Sequence, residues 1–449
     1  MTSYSRSDKP VPRTPYVLLF LALLFVPGVY FILLISAAIP LAIWFWLVEA
    51  TSHLSNASSS NQTLEKLVGF GALIATYACL RGIWKSFFRN PRFELALPVD
   101  LRKETKLRAF INSVCRALGT QPPDSVILHA QPNFFVQNGK LQTLNGIVKG
   151  KILALGLPVL TGLFVNELRA ILAHEFAHFT GKDTLYSSVV LPVYVGTRSS
   201  ITRLRSELRS NSDDIGEAFL GLMMKAPMLP PYAMLVGYLK LFQLLDLFVS
   251  RIRERRADTI AASFCGSETF SRGLRKTVRL SRSFDSLSKD QIIDLLKDDK
   301  AFINYYATFR DLLPQVWQYS DQFESDALLE NQKAFSSHPT LRARLAYLPD
   351  VPDAFSDADD CTSLFSDLEP FETTLTDNYT QYIAYQFAHE VEERKLQSRQ
   401  VALRSMKPLK PVRVASVKCP HCFMRTYPDL KRCHICGKRL TSIFDFLYR

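Results

Sequence analysis

Residues 165–179 read VNELRAILAHEFAHF, and the meaning of the surrounding chain turns on that stretch. It holds no Gly or Pro, and Leu168, Ile171, Leu172 and Phe176 recur at helical spacing. On a helix, positions four apart share a face, so His174 and His178 can bind one metal ion. Glu175, next to the first histidine, can reach a water held there and take its proton. This HExxH pattern is the sequence form of a zinc protease site. A helix carrying two surface histidines is the plainer alternative.

A catalytic zinc needs three protein ligands and one open position. Residues 250–258, SRIRERRAD, place Glu254 and Asp258 four apart, facing the same way on a second helix. Glu254 would complete a set of two histidines and a glutamate. Asp258 is placed to hydrogen-bond a ligand histidine and fix its orientation. Without the first motif, such charges would be read as a solvated helix face. Asp183, five residues beyond His178, is a further candidate for the orienting role.

Toward the N-terminus, Tyr16 to Val48 runs without a charge, too long for a signal peptide. As a helix it would extend roughly 50 Å against a hydrocarbon core of about 30 Å. One transmembrane helix over about 16–48 is therefore expected, tilted or bent at Pro27-Gly28 or Pro40. A second apolar run, Leu67 to Leu80, lies between Glu65, Lys66 and Arg81 and predicts a span over about 64–81. Lys and Arg cluster before the first helix and after the second, which puts both flanks in the cytoplasm. The expected setting is a bacterial plasma (inner) membrane. Membrane-proximal loops also account for the net charge of +12, so nucleic acid is not called for as a partner.

A basic amphipathic helix is expected over Leu101–Leu118. Short strands follow at 125–128, 133–136 and 151–155, with Asn138-Gly139 as a hairpin-like turn. A small sheet before the HExxH helix would let an edge strand hold an extended peptide beside the metal. Further membrane-associated helices are expected at about 185–200 and 218–250. In the latter, Lys240, Gln243 and Asp246 form one polar stripe, consistent with a membrane, an interfacial or a buried helix. The fold class is mainly α with a small β-sheet (α+β). Its parts are a membrane region over 1–92, a peptidase domain over 93–350, an acidic loop and helical extension over 351–404, and a linker over 405–417.

Residues 418–440 carry the second motif. Cys419, Cys422, Cys433 and Cys436 form CPHC and CHIC with ten residues between the pairs. Two such knuckles give tetrahedral thiolate coordination, so a zinc ribbon with a structural zinc is expected; a redox pair or an iron site shares the spacing. A segment this short and poor in apolar residues would need the metal to fold. The other cysteines, Cys79, Cys115, Cys265 and Cys361, are expected to be packed as small apolar residues in a reducing compartment.

HEFAH followed by SRxRExxAD resembles the HtpX-like and CAAX-prenyl-protease family of integral-membrane zinc metallopeptidases. Pro132-Asn133-Phe134 resembles that family's Asn-Ala-Phe strand, and His338-Pro339 with Arg344 resembles its His-Pro-x-x-x-x-Arg segment. The resemblance implies a gluzincin-type domain with Glu254 as third ligand, His338 at the oxyanion and Asn133 on the substrate-binding strand. Arg344 is then a candidate substrate-site residue, pairing with a carboxylate there or in an ordinary helix salt bridge. The chain departs from the family at Phe134-Phe135, bulkier than the usual small-residue strand, and in its broken apolar segments after His178. The implied activity is metalloendopeptidase, with peptides or membrane proteins as substrates and the lipid bilayer as environment. The ribbon lies outside the resemblance and is expected to be a module that presents substrates or binds a protein partner. A non-catalytic membrane adaptor using the ribbon is the alternative.

Overall fold

The computed structural model describes residues 16–52, 59–87, 91–179, 183–209, 224–331, 339–356, 358–403, 417–418 and 425–426. Helix α1 (Tyr16–Ser52) runs unbroken through Pro27 and Pro40. Helix α2 (Ser59–Phe87) begins inside the polar stretch between the two apolar runs, earlier than the apolar pattern predicts. Stretches Tyr30–Thr51 and Glu65–Trp84 are long and apolar enough to cross a membrane. The two helices exchange polar contacts as well as apolar ones. The Thr76 hydroxyl donates to the Ala37 carbonyl at 2.8 Å and the Trp44 indole N–H to the Glu65 carbonyl at 3.1 Å. Phe31, Phe45, Trp46, Phe70 and Trp84 point outward, as a lipid-facing surface requires.

The sheet follows. Its strands are β1 (Arg92–Phe93), β2 (Ala96–Val99), β3 (Ser125–His129), β4 (Phe135–Thr143) and β5 (Gly146–Gly156), in spatial order β1-β4-β5-β3-β2. Helix α3 (Thr105–Ala117) connects β2 to β3. Alternation serves both faces. Val126, Leu128, Leu153 and Leu155 join the main core, whereas Ile127, Ile152 and Ala154 pack on the other side.

Asn138-Gly139 is not the turn. These residues lie within β4, opposite Lys151 and Gly150, and the chain reverses at Leu144-Asn145. Asn145-Gly146 carries the same turn chemistry, with Gly146 at φ +125° and its carbonyl accepting from the Thr143 hydroxyl at 2.8 Å. Strand β1 pairs only with Leu141 and Gln142, so residues 135–140 of β4 have no strand beside them on that edge among the described residues.

After α4 (Leu157–Leu160) comes the HExxH helix, α5 (Val165–Ala177), then α6 (Asp183–Arg209) and α7 (Leu229–Cys265). Of the apolar run expected at 218–250, the part from Leu229 onward and the ligand-bearing stretch at 250–258 belong to one helix, α7, preceded by a 3-10 turn at Ala226–Met228, while 218–223 lie outside the described residues. Pro230 and Pro231 do not break it, because they occupy its first turn, where no N–H partner is lost. A third candidate span, Ala226–Cys265, coincides with it. Leu33 of α1, Ala75 and Ala78 of α2, Leu204 of α6 and Leu235 of α7 share one buried cluster.

Helices α8 (Ser267–Leu296), α9 (Tyr305–Tyr319), α10 (Asp321–Leu329) and α11 (Leu341–Ala346) complete the domain. The region expected to be acidic loop already contains the start of α12 (Glu369–Gln386), and Phe387 separates it from α13 (Ala388–Leu403). Phe284 of α8 packs against Tyr305, Tyr306, Phe309 and Tyr379, tying α12 to the core. Near the C-terminus, β6 (Val417–Lys418) pairs antiparallel with β7 (Arg425–Thr426). Cys419, Cys422, Cys433 and Cys436 lie outside the described residues.

Candidate metal centre

Helix α5 is buried on nearly every side, which suits its mostly apolar sequence. Its start is fixed by Glu167, fully buried, whose carboxylate accepts the Phe164 N–H at 2.9 Å and meets Arg272 at 3.0 Å and Lys276 at 2.8 Å. The helix end presents His174 and His178 with their rings perpendicular and their Nε2 atoms 3.3 Å apart. Glu254 of α7 faces both, 3.7 Å from His174 Nε2 and 3.5 Å from His178 Nε2. Thus the two motifs, some 75 residues apart in sequence, converge on one point.

The spacing has a direct chemical meaning. Ligands at about 2.0–2.1 Å from a tetrahedral zinc lie about 3.3 Å from one another. Two imidazole nitrogens and a carboxylate at 3.3–3.7 Å match that arrangement. The His174 tautomer fits too. Its Nδ1 lies 2.8 Å from Asp258 Oδ1, so Nδ1 carries the proton and Nε2 offers its lone pair. Burial lowers the His174 pKa, but the hydrogen bond and charge of Asp258 outweigh it, and the net shift is upward. Burial, helped by the charge of His174, pushes His178 down to about 3, so that ring is neutral at ordinary pH.

Asp258 is itself anchored. Arg344 grips both its oxygens, Nη2 to Oδ1 at 2.6 Å and Nε to Oδ2 at 2.9 Å. Of the two pairings open to Arg344, the structure has the one with a carboxylate of the site. The Tyr347 hydroxyl donates to Asp258 Oδ2 at 2.9 Å, a contact no motif pointed to. Tyr347 caps the C-terminus of α11, and no spacing in the sequence relates it to Asp258. Phe270 of α8 stacks on the His174 ring at 6.0 Å between centroids.

Glu175, half-buried, lies between the two histidines on α5. Asn133 is exposed, two residues before β4, and its backbone is packed against Gly156. Asp183 begins α6, but its side chain is outside what the structure describes, and so is all of His338.

The chain matches peptidase family M48 over residues 102–351. It belongs to that family. M48 peptidases are zinc-dependent metalloproteases, and the donor set of His174, His178 and Glu254 fits zinc. Among relatives of this M48 chain, "Protease HtpX homolog" of Archaeoglobus fulgidus is 24% identical over 265 residues, 57% of this chain and 70% of the relative. The homolog from Pyrobaculum calidifontis is 25% identical over 309 residues, 66% of this chain and 80% of that one. A solved structure, "Crystal Structure of S. mikatae Ste24p", overlaps at TM-score 0.28 and 14% identity, with 69% of this chain and 61% of that chain covered.

Proposed function

We propose that this M48 protein is a membrane-anchored zinc endopeptidase in which Glu175 activates the attacking water. The observation that carries this is the convergence of His174, His178 and Glu254, whose ligand atoms lie within 4.8 Å of one another beside Glu175. Zinc held there would polarise the scissile carbonyl and acidify a water. Glu175 accepts the proton of the attacking water and returns it to the leaving amine. Asp258 keeps His174 turned so that Nε2 faces the site. Asp183 is assigned the same orienting role toward the histidines.

The substrate side rests on the strand that follows Asn133. With residues 135–140 of β4 open along one edge, an extended peptide could add there by backbone pairing, with Asn133 at its start. His338 is assigned to the developing oxyanion and Arg344 to the substrate side through its place on Asp258. The membrane region covers 1–92 and the peptidase domain 93–350, followed by the extension over 351–404 and the linker over 405–417. In the ribbon, 418–440, Cys419, Cys422, Cys433 and Cys436 hold a structural zinc and serve a protein partner. The basic residues flanking α1 and α2 support a cytoplasmic catalytic side in a bacterial inner membrane. Segments of membrane proteins undergoing quality control are the proposed substrates.

The test is Glu175→Gln in the full-length protein in detergent. It should keep its zinc and lose cleavage of an unfolded reporter such as casein by about 10²–10⁴-fold. Turnover equal to the unsubstituted protein would overturn the mechanism.

A further inference from the structure

We propose that Tyr347 is a positioning residue for the metal centre, its hydroxyl holding the Asp258 carboxylate that orients His174. This rests on the metal reading above. The Asp258 side chain has no solvent exposure, so its oxygens must be satisfied by the protein. Oδ1 takes His174 Nδ1 at 2.8 Å and Arg344 Nη2 at 2.6 Å. Oδ2 takes Arg344 Nε and the Tyr347 hydroxyl, both at 2.9 Å. A carboxylate offers about four lone-pair positions, and these four contacts occupy them.

Tyr347 supplies what the arginine cannot. A guanidinium fork and a carboxylate lie in one plane, which leaves the pair free to tilt together about the long arginine side chain. The tyrosine approaches as a stiff ring from the C-terminal cap of α11. Its ring is faced by the Arg255 guanidinium, 4.7 Å from the centroid, and Arg255 follows Glu254 on α7. Tyr347 is therefore tied to α7 at two places, through Arg255 and through Asp258. Both neighbours stand within one helical turn of the third candidate ligand. A phenol that only filled space would have no reason to meet the carboxylate with its hydroxyl.

The experiment uses the full-length protein in detergent with Co²⁺ in place of zinc, following the visible absorption band that His174→Ala abolishes. Tyr347→Phe keeps the ring and removes the donor. It should weaken Co²⁺ binding by about 10-fold or more in chelator competition and shift that band, with a lower unfolding temperature because a buried carboxylate loses one donor. Should Tyr347→Phe not fold, Arg255→Gln frees the ring while leaving Asp258 its donors, and at least threefold weaker Co²⁺ binding is expected. Unchanged affinity and an unchanged band in the folded variant would overturn the inference alone. Absence of any His174-dependent band in the unsubstituted protein would overturn the metal reading, and this inference with it.

Discussion

Asp258 Oδ1 on α7 lies 2.8 Å from His174 Nδ1 on α5, and this contact fixes which nitrogen of His174 looks into the candidate metal site. The two residues come from helices far apart in sequence. One aspartate thereby joins the HExxH helix, the helix that carries Glu254 and the short helix that carries Arg344. Replacing Asp258 with Asn keeps the shape but turns an amide N–H toward Arg344 and removes the charge that holds the His174 tautomer. Zinc affinity should fall by about 10–100-fold, read by chelator competition, with a smaller loss of turnover at saturating zinc. An unaltered affinity would mean that His174 does not depend on this contact.

Glu167→Gln tests how the start of the HExxH helix is held. The fully buried carboxylate serves Phe164, Arg272 and Lys276 together. Breaking a fully buried ion pair costs about 3–5 kcal/mol. Because Arg272 is 39% exposed and can be rehydrated, about 2–3 kcal/mol is expected here. Thermal unfolding in detergent reads this as a clear fall in Tm. No fall would show that the cluster adds nothing to stability.

Gly156→Ala tests the approach of the strand that follows Asn133. Gly156 has φ −69°, which any residue adopts, so the penalty is steric alone. A Cβ there would run into the backbone N and O of Asn133. The strand entry must shift, at about 1–3 kcal/mol of overpacking. If Asn133 borders the substrate, KM should rise more than kcat falls. An equal loss in both, or none, would separate Asn133 from substrate binding.

How much of this was legible in the chain depended on distance along it. The HExxH helix is a local pattern, and its ligand spacing follows from helix geometry alone. Glu254 could be named because a zinc site lacked one ligand, not because anything placed α7 against α5. The start of α7 was hidden by Pro230-Pro231, since a proline pair breaks a helix interior yet opens a first turn equally well. The hairpin was misplaced because Asn138-Gly139 and Asn145-Gly146 carry the same dipeptide, and only the pairing of β4 with β5 decides between them. Strand β2 went unpredicted because Pro98 sits inside it, and a proline within a short apolar run argues against a strand except at a sheet edge, where β2 lies. Tyr347 was not readable at all, as no spacing relates it to Asp258.

The four cysteines outside the ribbon should be inert in the folded protein. All are buried. Burial, partly offset by Lys151, pushes the Cys115 thiol up to about 11, and burial with the charge of Glu167 raises Cys361 as well. Moving a thiol from 9.0 to about 11 cuts its thiolate fraction at pH 8 by about 100-fold. Iodoacetamide at pH 8 followed by mass spectrometry should leave Cys115 and Cys361 unlabelled until the protein is unfolded. Rapid labelling of either in the native state would contradict this packing.

Metal content separates the two zinc proposals from each other. The donor sets differ in kind: neutral imidazoles with a carboxylate at one, thiolates at the other. Elemental analysis of the full-length protein should give about two zinc ions per chain. His174→Ala should remove about one and abolish proteolysis. Cys433→Ser should remove about one and leave cleavage of a short soluble peptide largely intact, because His174, His178 and Glu254 are complete without residues 418–440. If Cys433→Ser also stopped cleavage of that peptide, the ribbon would be part of the catalytic apparatus rather than a module for a partner. If it removed no zinc, the CxxC pairs would have to be read as redox groups instead.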